Sequence, residues 1–393
     1  MSRVCVGSQP VLFTPGPVRI PESVSRAFIA PPCNYHRQAA FRRLFADTQD
    51  DLKSLLGLVA PNEFAAVVLT STGTGANEAA LQALAPLGRG LIVCNGFFAE
   101  RLRAQAQQNG IAHEAWTSPD DLPVDVDRFE AELDCHGNDI RWVYFVSHET
   151  RAGLRNPLEE IGRACRRRGL FVAADVVSSA FAYRIDIEAA GLDLAIMSSA
   201  KGLMSVPGLG IAVVRNQAME RLAAFKRRAY YLDLVAEWAK QRSEMQPRFA
   251  QPVALHAALA AACTHLGAVG IDNHFLRISR QMADLVEHLR HLGIGTRLVP
   301  AHRSNVAVNF ALPAGITYAA FSSQLEQQGY YALYGLPGDE TTFQLSTIGH
   351  LDDEHVEGMK RALSLVFARG RNAVAASVSA SASAIALGES QAS

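Results

Sequence analysis

The stretch LFVAADVVSSAFAYRIDIEAAGLDLAIMSSAKG, residues 170–202, decides the fold. It holds two short runs, 170–174 and 192–197, with almost no polar interruption. Such runs are strands buried on both faces, because a strand with one wet face alternates polar and apolar positions. Working outward, similar runs recur at 65–69, 90–94, 142–146 and 210–214. Helix-like segments lie in most gaps, among them 77–87, 99–109 and 158–168. Strands spaced by helices indicate an α/β chain with a mostly parallel sheet covered on both faces. The runs at 192–197 and 210–214 are joined without a helix, which predicts an antiparallel edge strand there.

A chain of 393 residues is too long for one core. We divide it into an N-terminal arm (1–20), a large domain (21–290), a smaller C-terminal α+β domain (291–370) and a tail (371–393). In the arm, Thr14-Pro15-Gly16-Pro17 fixes φ at two positions and predicts irregular chain rather than a strand. Helical spacing follows at 41–58, and 216–290 reads as mainly helical. The small domain is expected to contain strands at 296–300, 305–310, 330–334 and 342–346, with helices at 318–328 and 353–367. The tail is Ala/Ser-rich with little to bury, and a disordered segment is expected.

Apolar residues make up 49% and charged residues 19%, and 37 basic side chains stand against 38 acidic ones. That balance argues against a nucleic-acid partner, which requires concentrated positive charge. The run Arg166-Arg167-Arg168 reads as the solvated end of a helix. Six scattered cysteines with no Cys-x-x-Cys pair argue against a zinc site or a disulfide framework, and no metal is expected. No run approaches the ~20 apolar residues of a membrane span. These readings place the protein in the cytoplasm, away from membranes.

Five lysines stand against 32 arginines. Lys53, Lys226, Lys240 and Lys360 lie on amphipathic stretches, whereas Lys201 follows an apolar strand through Ser198-Ser199-Ala200 and precedes Gly202. Small neighbours leave room for a ring on its amine, and desolvation there would free the neutral amine that imine formation needs. Asp175 ends the strand at 170–174, and carboxyl ends of parallel strands gather where ligands bind. Pyridoxal 5′-phosphate (PLP) needs this pair, an amine for its aldehyde and a carboxylate for its pyridine nitrogen. Taken singly, each residue reads more readily as an ordinary strand-end or cap residue. Thr72-Gly73-Thr74-Gly75 follows the strand at 65–69 and opens a helix. It suits a phosphate, or a plain helix cap. Asn95-Gly96-Phe97-Phe98 ends another strand and offers an aromatic face to a flat ring, or to the core.

In order along the chain, these elements resemble the class V aminotransferases of PLP fold type I. The likeness is nearest to 2-aminoethylphosphonate–pyruvate aminotransferases, then to alanine–glyoxylate aminotransferases. It runs from about residue 11 to 368 through Thr14-Pro15-Gly16-Pro17, Thr72-Gly73-Thr74, Asn95-Gly96-Phe97-Phe98, His148-Glu149-Thr150, Asp175, Ser198-Ser199-Ala200-Lys201, Val206-Pro207-Gly208 and Tyr231-Leu232-Asp233-Leu234. The resemblance implies a large domain with a mostly parallel seven-stranded sheet, a smaller α+β domain and a homodimer. It implies amino transfer from a small amine to an α-keto acid. Lys201 would be the Schiff-base lysine and Asp175 the pyridinium partner. Thr72, Gly73 and Thr74 would hold the phosphate, Phe98 would stack on the ring, Thr150 and Val177 would complete the cofactor site, and Gly16, Arg151 and Gln344 would meet substrate.

This chain departs from the family pattern at several of these positions. Gln344 stands where the family carries a carboxylate-clamping arginine. Ala200 and Ala250 replace side chains that reach the phosphate, and Arg151 stands where serine or threonine is usual. Either Arg151 supplies the anion-binding charge lost at 344, or it points to solvent and the substrate lacks an α-carboxylate. A PLP-dependent lyase, racemase or desulfurase, and a non-catalytic binding protein on the same scaffold, are the alternative readings.

Overall fold

The computed structural model describes residues 9–226, 229–336 and 338–369. The strands are β1 (Val11–Phe13), β2 (Phe64–Thr70), β3 (Gly90–Cys94), β4 (His113–Thr117), β5 (Trp142–Val146), β6 (His148–Glu149), β7 (Leu154–Arg155), β8 (Phe171–Asp175), β9 (Leu194–Ser198), β10 (Leu209–Arg215), β11 (Ala307–Ala311), β12 (Tyr330–Tyr334) and β13 (Thr342–Ser346). The helices that matter below are α1 (Glu22–Ile29), α2 (Ala39–Leu55), α3 (Gly73–Leu84), α4 (Phe97–Gln108), α5 (Val126–His136), α6 (Leu158–Arg167), α7 (Asn216–Ala223), α8 (Leu234–Glu244), α9 (Val253–Val269), α10 (Ile271–His291) and α11 (Tyr318–Gln327). A last helix occupies 353–369.

The large sheet has seven strands in the order β2-β10-β9-β8-β5-β3-β4. The pairs β3–β4, β3–β5, β5–β8 and β8–β9 are parallel, while β10 is antiparallel to both neighbours. Alternate side chains serve two separate cores. Val143, Phe145, Val172, Ala174, Ala195 and Met197 face one side, under α2, α6 and α9. Tyr144, Phe171, Ala173, Leu194 and Ile196 face the other, under α3, α4, α7 and α8. Both faces are dry, so the strands read as unbroken apolar runs. On the second side α3 presents Ala76, Ala79 and Ala80. Small side chains let the helix approach closely: a Cβ on Gly210 of β10 would lie 2.7 Å from Ala76 Cβ.

The four-stranded sheet has the order β1-β12-β13-β11 and packs with α11, the last helix and the C-terminal half of α10. Its centre is a set of rings in contact, with Phe343 5.3 Å from Phe310 and 4.4 Å from Phe321 between ring centroids.

Three expectations need correction, and one strand was not expected. The antiparallel strand β10 is not an edge, because β2 returns to pair along its outer side. The arm is not wholly irregular, since Val11–Phe13 pairs in parallel with β12 and chain irregularity begins at Thr14. The segment 296–300 makes only a single bridge, Thr296 to Phe310. The edge strand β4, HEAWT, escaped notice because its polar composition suits a strand flanked on one side only. The tail at 371–393 lies outside the described residues. No single helix among those described is long and apolar enough to cross a membrane.

Candidate active site

Five chain segments end or begin at one edge of the large sheet: the ends of β2, β3, β5, β8 and β9. With the start of β10 and the arm they enclose a cavity of about 310 Å³. Its wall includes Gly16, Thr72, Gly73, Thr74, Phe98, Thr150, Asp175, Val177 and Lys201, so nine residues singled out from sequence converge. Arg151 and Gln344 do not line it.

Lys201 is the third residue after β9, in a turn that returns to β10, and its amine donates to Pro15 O at 3.0 Å. The arm crosses so closely that a Cβ on Gly16 would sit 2.2 Å from Lys201 Nζ, at a φ of +143°. Only glycine fits. Burial drives the Lys201 pKa down from 10.5 to about 8, with Arg101 and Arg151 pushing the same way and Asp175 opposing. The neutral amine is therefore accessible near neutral pH.

Asp175 is the last residue of β8 and is buried. One carboxylate oxygen accepts from Val177 N at 2.8 Å and the other from Asn77 Nδ2 at 2.6 Å. Tyr144 in turn donates to Asn77 Oδ1 at 2.6 Å, which fixes the amide with its N–H₂ toward the carboxylate. Burial raises the Asp175 pKa, while the two donated hydrogen bonds and the charges of Arg101 and Lys201 oppose the rise.

The first turn of α3 presents backbone N–H groups at the cavity, and Thr72 at its N-cap makes no side-chain cap bond. Gly73 leaves no space for a side chain, since a Cβ would lie 2.8 Å from Val177 Cγ2. Arg101 Nη1 donates to Thr74 Oγ1 at 3.2 Å and Gln105 Nε2 to Thr74 O at 2.9 Å. A dianion is thus served by a helix N-terminus, small hydroxyls including Ser198, and an arginine. These line the wall beside Ala200, the position short of its family side chain. Phe98 presents its ring to the cavity with the Arg101 guanidinium 4.8 Å from its centroid.

Glu149 anchors the other side. Its carboxylate accepts from Phe98 N at 3.0 Å and Ala99 N at 2.7 Å at the start of α4, and burial lifts its pKa to about 7. His148 lines the cavity with its pKa pushed down by burial to about 3, so the ring is neutral. The Ser178 hydroxyl donates to His148 O at 3.1 Å, which makes His148 Nδ1 the donor to Ser178 Oγ at 3.0 Å. Nε2 is then an acceptor, buried and without a partner.

Gln344 lies in β13, fully buried. Its Nε2 donates to Thr150 O at 2.7 Å and Asn309 Oδ1 at 2.8 Å, so it pins the loop after β6 and does not enter the cavity. Sequence reading passed over Asn77, Arg101, Gln105, His148, Ser178 and Ser198 as contributors. Arg101 had a usable signal, standing one helical turn after Phe98 on the same face of α4. The others reach the site through loops and across strands, with no spacing rule to mark them.

The residues fit PLP. An orphaned acceptor, a depressed lysine, a buried carboxylate and an anion cradle share one space of ligand size. Fold and site together define a PLP enzyme of the α/β, strand-end type. The family model for class-V aminotransferases matches residues 32–338. A 2-aminoethylphosphonate–pyruvate transaminase from Burkholderia mallei (strain SAVP1) is 33% identical over 358 residues, covering 90% of this chain and 95% of that protein. Among solved structures, an aspartate aminotransferase of subgroup IV from Thermus thermophilus superposes with a TM-score of 0.81 at 29% identity, covering 91% of this chain and 99% of its own. An alanine–glyoxylate aminotransferase from Nostoc sp. gives 0.85 at 25% identity, covering 93% and 97%. The chain belongs to the class-V aminotransferase family and is a PLP-dependent transaminase.

Proposed function

We propose that this transaminase moves the amino group of a small primary amine of the 2-aminoethylphosphonate kind to an α-keto acid. The observation that carries the reading is the convergence of Lys201 and Asp175 on one cavity whose other walls carry several hydroxyl groups and the Arg101 guanidinium. The 33%-identical transaminase supports the donor class.

PLP, when bound, draws electrons from the amine-bearing carbon so that its proton becomes removable. Thr72, Gly73, Thr74, Ser198 and Arg101 would hold the phosphate. Asp175, oriented by Asn77 and Val177, would hold a proton at the pyridine nitrogen, and Phe98 would cover a ring face. Lys201 Nζ would anchor the cofactor and, as an amine of depressed basicity, would be the group placed to accept and return the substrate's proton. Among the described residues no cysteine lines the cavity, so nothing in its wall favours a desulfurase. The protein is proposed to act as a homodimer. Phe28, Ile29 and Tyr35, exposed at and just after α1, supply apolar surface to bury against a second copy.

The test is a donor screen on the PLP-loaded protein. 2-Aminoethylphosphonate should bleach the yellow colour and pyruvate or glyoxylate restore it, with borohydride reduction fixing PLP on Lys201. Product release without any keto acid would instead identify a lyase.

A further inference from the structure

Arg151 follows Thr150 in the turn between β6 and β7 and pairs with no carboxylate among the described residues. Its Nη2 donates to the Tyr334 hydroxyl at 2.6 Å. The guanidinium carbon stands 4.3 Å from the Tyr334 ring centroid and 5.6 Å from that of Phe97. Nη1 is buried and has no partner. Arginine cannot relieve such a position by losing its proton, so a buried guanidinium edge without an acceptor is a standing demand for an anion.

The backbone beneath it is held firmly. Asn309 Nδ2 donates to Arg151 O at 2.6 Å and Gln344 Nε2 to Thr150 O at 2.7 Å, both from the small sheet. Thr150 itself lines the cavity, and the Arg151 charge is felt at Lys201, whose basicity it lowers. Because the Tyr334 hydroxyl accepts from Arg151, its own proton remains to be donated. Arg151 Nη1 and Tyr334 OH therefore offer two N–H or O–H protons side by side, between two aromatic faces. That pattern suits two oxygens of one anionic group, such as the carboxylate of the keto acid.

We propose that Arg151, assisted by Tyr334, binds the carboxylate of the α-keto acid acceptor. The assignment rests on the transaminase reading above and sharpens it, because it names the residues that select the acceptor.

The PLP-loaded wild type, Arg151→Gln, Arg151→Lys and Tyr334→Phe are compared in two assays. Steady-state kinetics with pyruvate should show KM in Arg151→Gln raised by roughly 10- to 100-fold, as expected for losing a charge-assisted pair. Arg151→Lys, which keeps the charge without the fork, and Tyr334→Phe, which keeps the arginine, should each fall between that variant and the wild type. Calorimetric titration with propanoate, which has the carboxylate but no carbonyl to react, should show binding weakened about tenfold or more in Arg151→Gln. Pyruvate KM and propanoate affinity both within about twofold of wild type in Arg151→Gln would overturn the assignment, as would a rise confined to the amine donor. If the wild type transfers no amino group to any keto acid, the reaction reading fails. Propanoate binding then still decides the carboxylate site by itself. Circular dichroism of each variant excludes misfolding as the cause of a loss.

Discussion

The two walls of the cavity are built differently. One comes from the large sheet, where Asp175 and Lys201 sit at or just beyond the ends of adjacent strands and their directions are set by short, buried backbone. The other comes from the turn at Thr150-Arg151, whose carbonyls are held by Gln344 and Asn309 from the small sheet. The first wall carries groups that any amino transfer needs. Behind the second, next to Thr150, stands the Arg151 cation, whose position depends on contacts between distant segments. The catalytic pair is therefore anchored locally, whereas the proposed acceptor site would depend on the rest of the fold.

The comparison breaks most visibly if the large-sheet wall proves dispensable. Asp175→Asn keeps the shape and removes the charge, and should lower kcat by roughly 10²- to 10⁴-fold while pyruvate KM shifts little. A KM effect without a kcat effect would reassign Asp175 to the binding wall.

Next in size is the cost of holding Lys201 in a dry site. Its folded pKa, about 8, lies below the ordinary 10.5. Below pH 8 the amine is protonated in both folded and unfolded chains, and the folded apoprotein carries the full penalty. Between about 8 and 10.5 the unfolded chain alone keeps the proton, so stability rises with pH. The apoprotein of Lys201→Met should accordingly be more stable than wild type below pH 8, by roughly 3 kcal/mol, and lose that advantage by pH 10.5. Urea unfolding across the range measures it. A constant difference would show that Lys201 is not desolvated.

The smallest effect tests the second wall. Gln344→Leu leaves Thr150 O and Asn309 Oδ1 without their donor and should cost about 1–3 kcal/mol of stability. It should also loosen Arg151, and so raise pyruvate KM more than it lowers kcat. Unchanged KM in a destabilised variant would show that the small sheet supports the fold alone.

Much of the first wall was legible before any coordinates. Asp175 and Lys201 each follow an apolar run, and Thr72-Gly73-Thr74 lies between a run and a helix, so their placement at strand ends followed from unbroken apolar runs of strand length. The edge strand β4 was not legible because it is largely polar, and the pairing of Val11–Phe13 with β12 was not because three apolar residues are too short a run to mark a strand. Arg101 could have been found by helical spacing from Phe98. Asn77, His148 and Ser178 could not, because their roles are hydrogen bonds to residues 98, 30 and 28 positions away, which composition does not encode.

By itself the sequence determined the parallel sheet, the lysine and carboxylate at its edge, and the helix ready for an anion. Local rules suffice there, because strand ends and helix starts are fixed by neighbours in the chain. Only the tertiary structure decided what Gln344 and Arg151 do. Gln344 turns inward to hold backbone carbonyls, and Arg151 is left with an unmatched charge beside two rings. Both outcomes depend on partners from other segments, whose approach is set by the packing of two sheets and not by any period in the sequence.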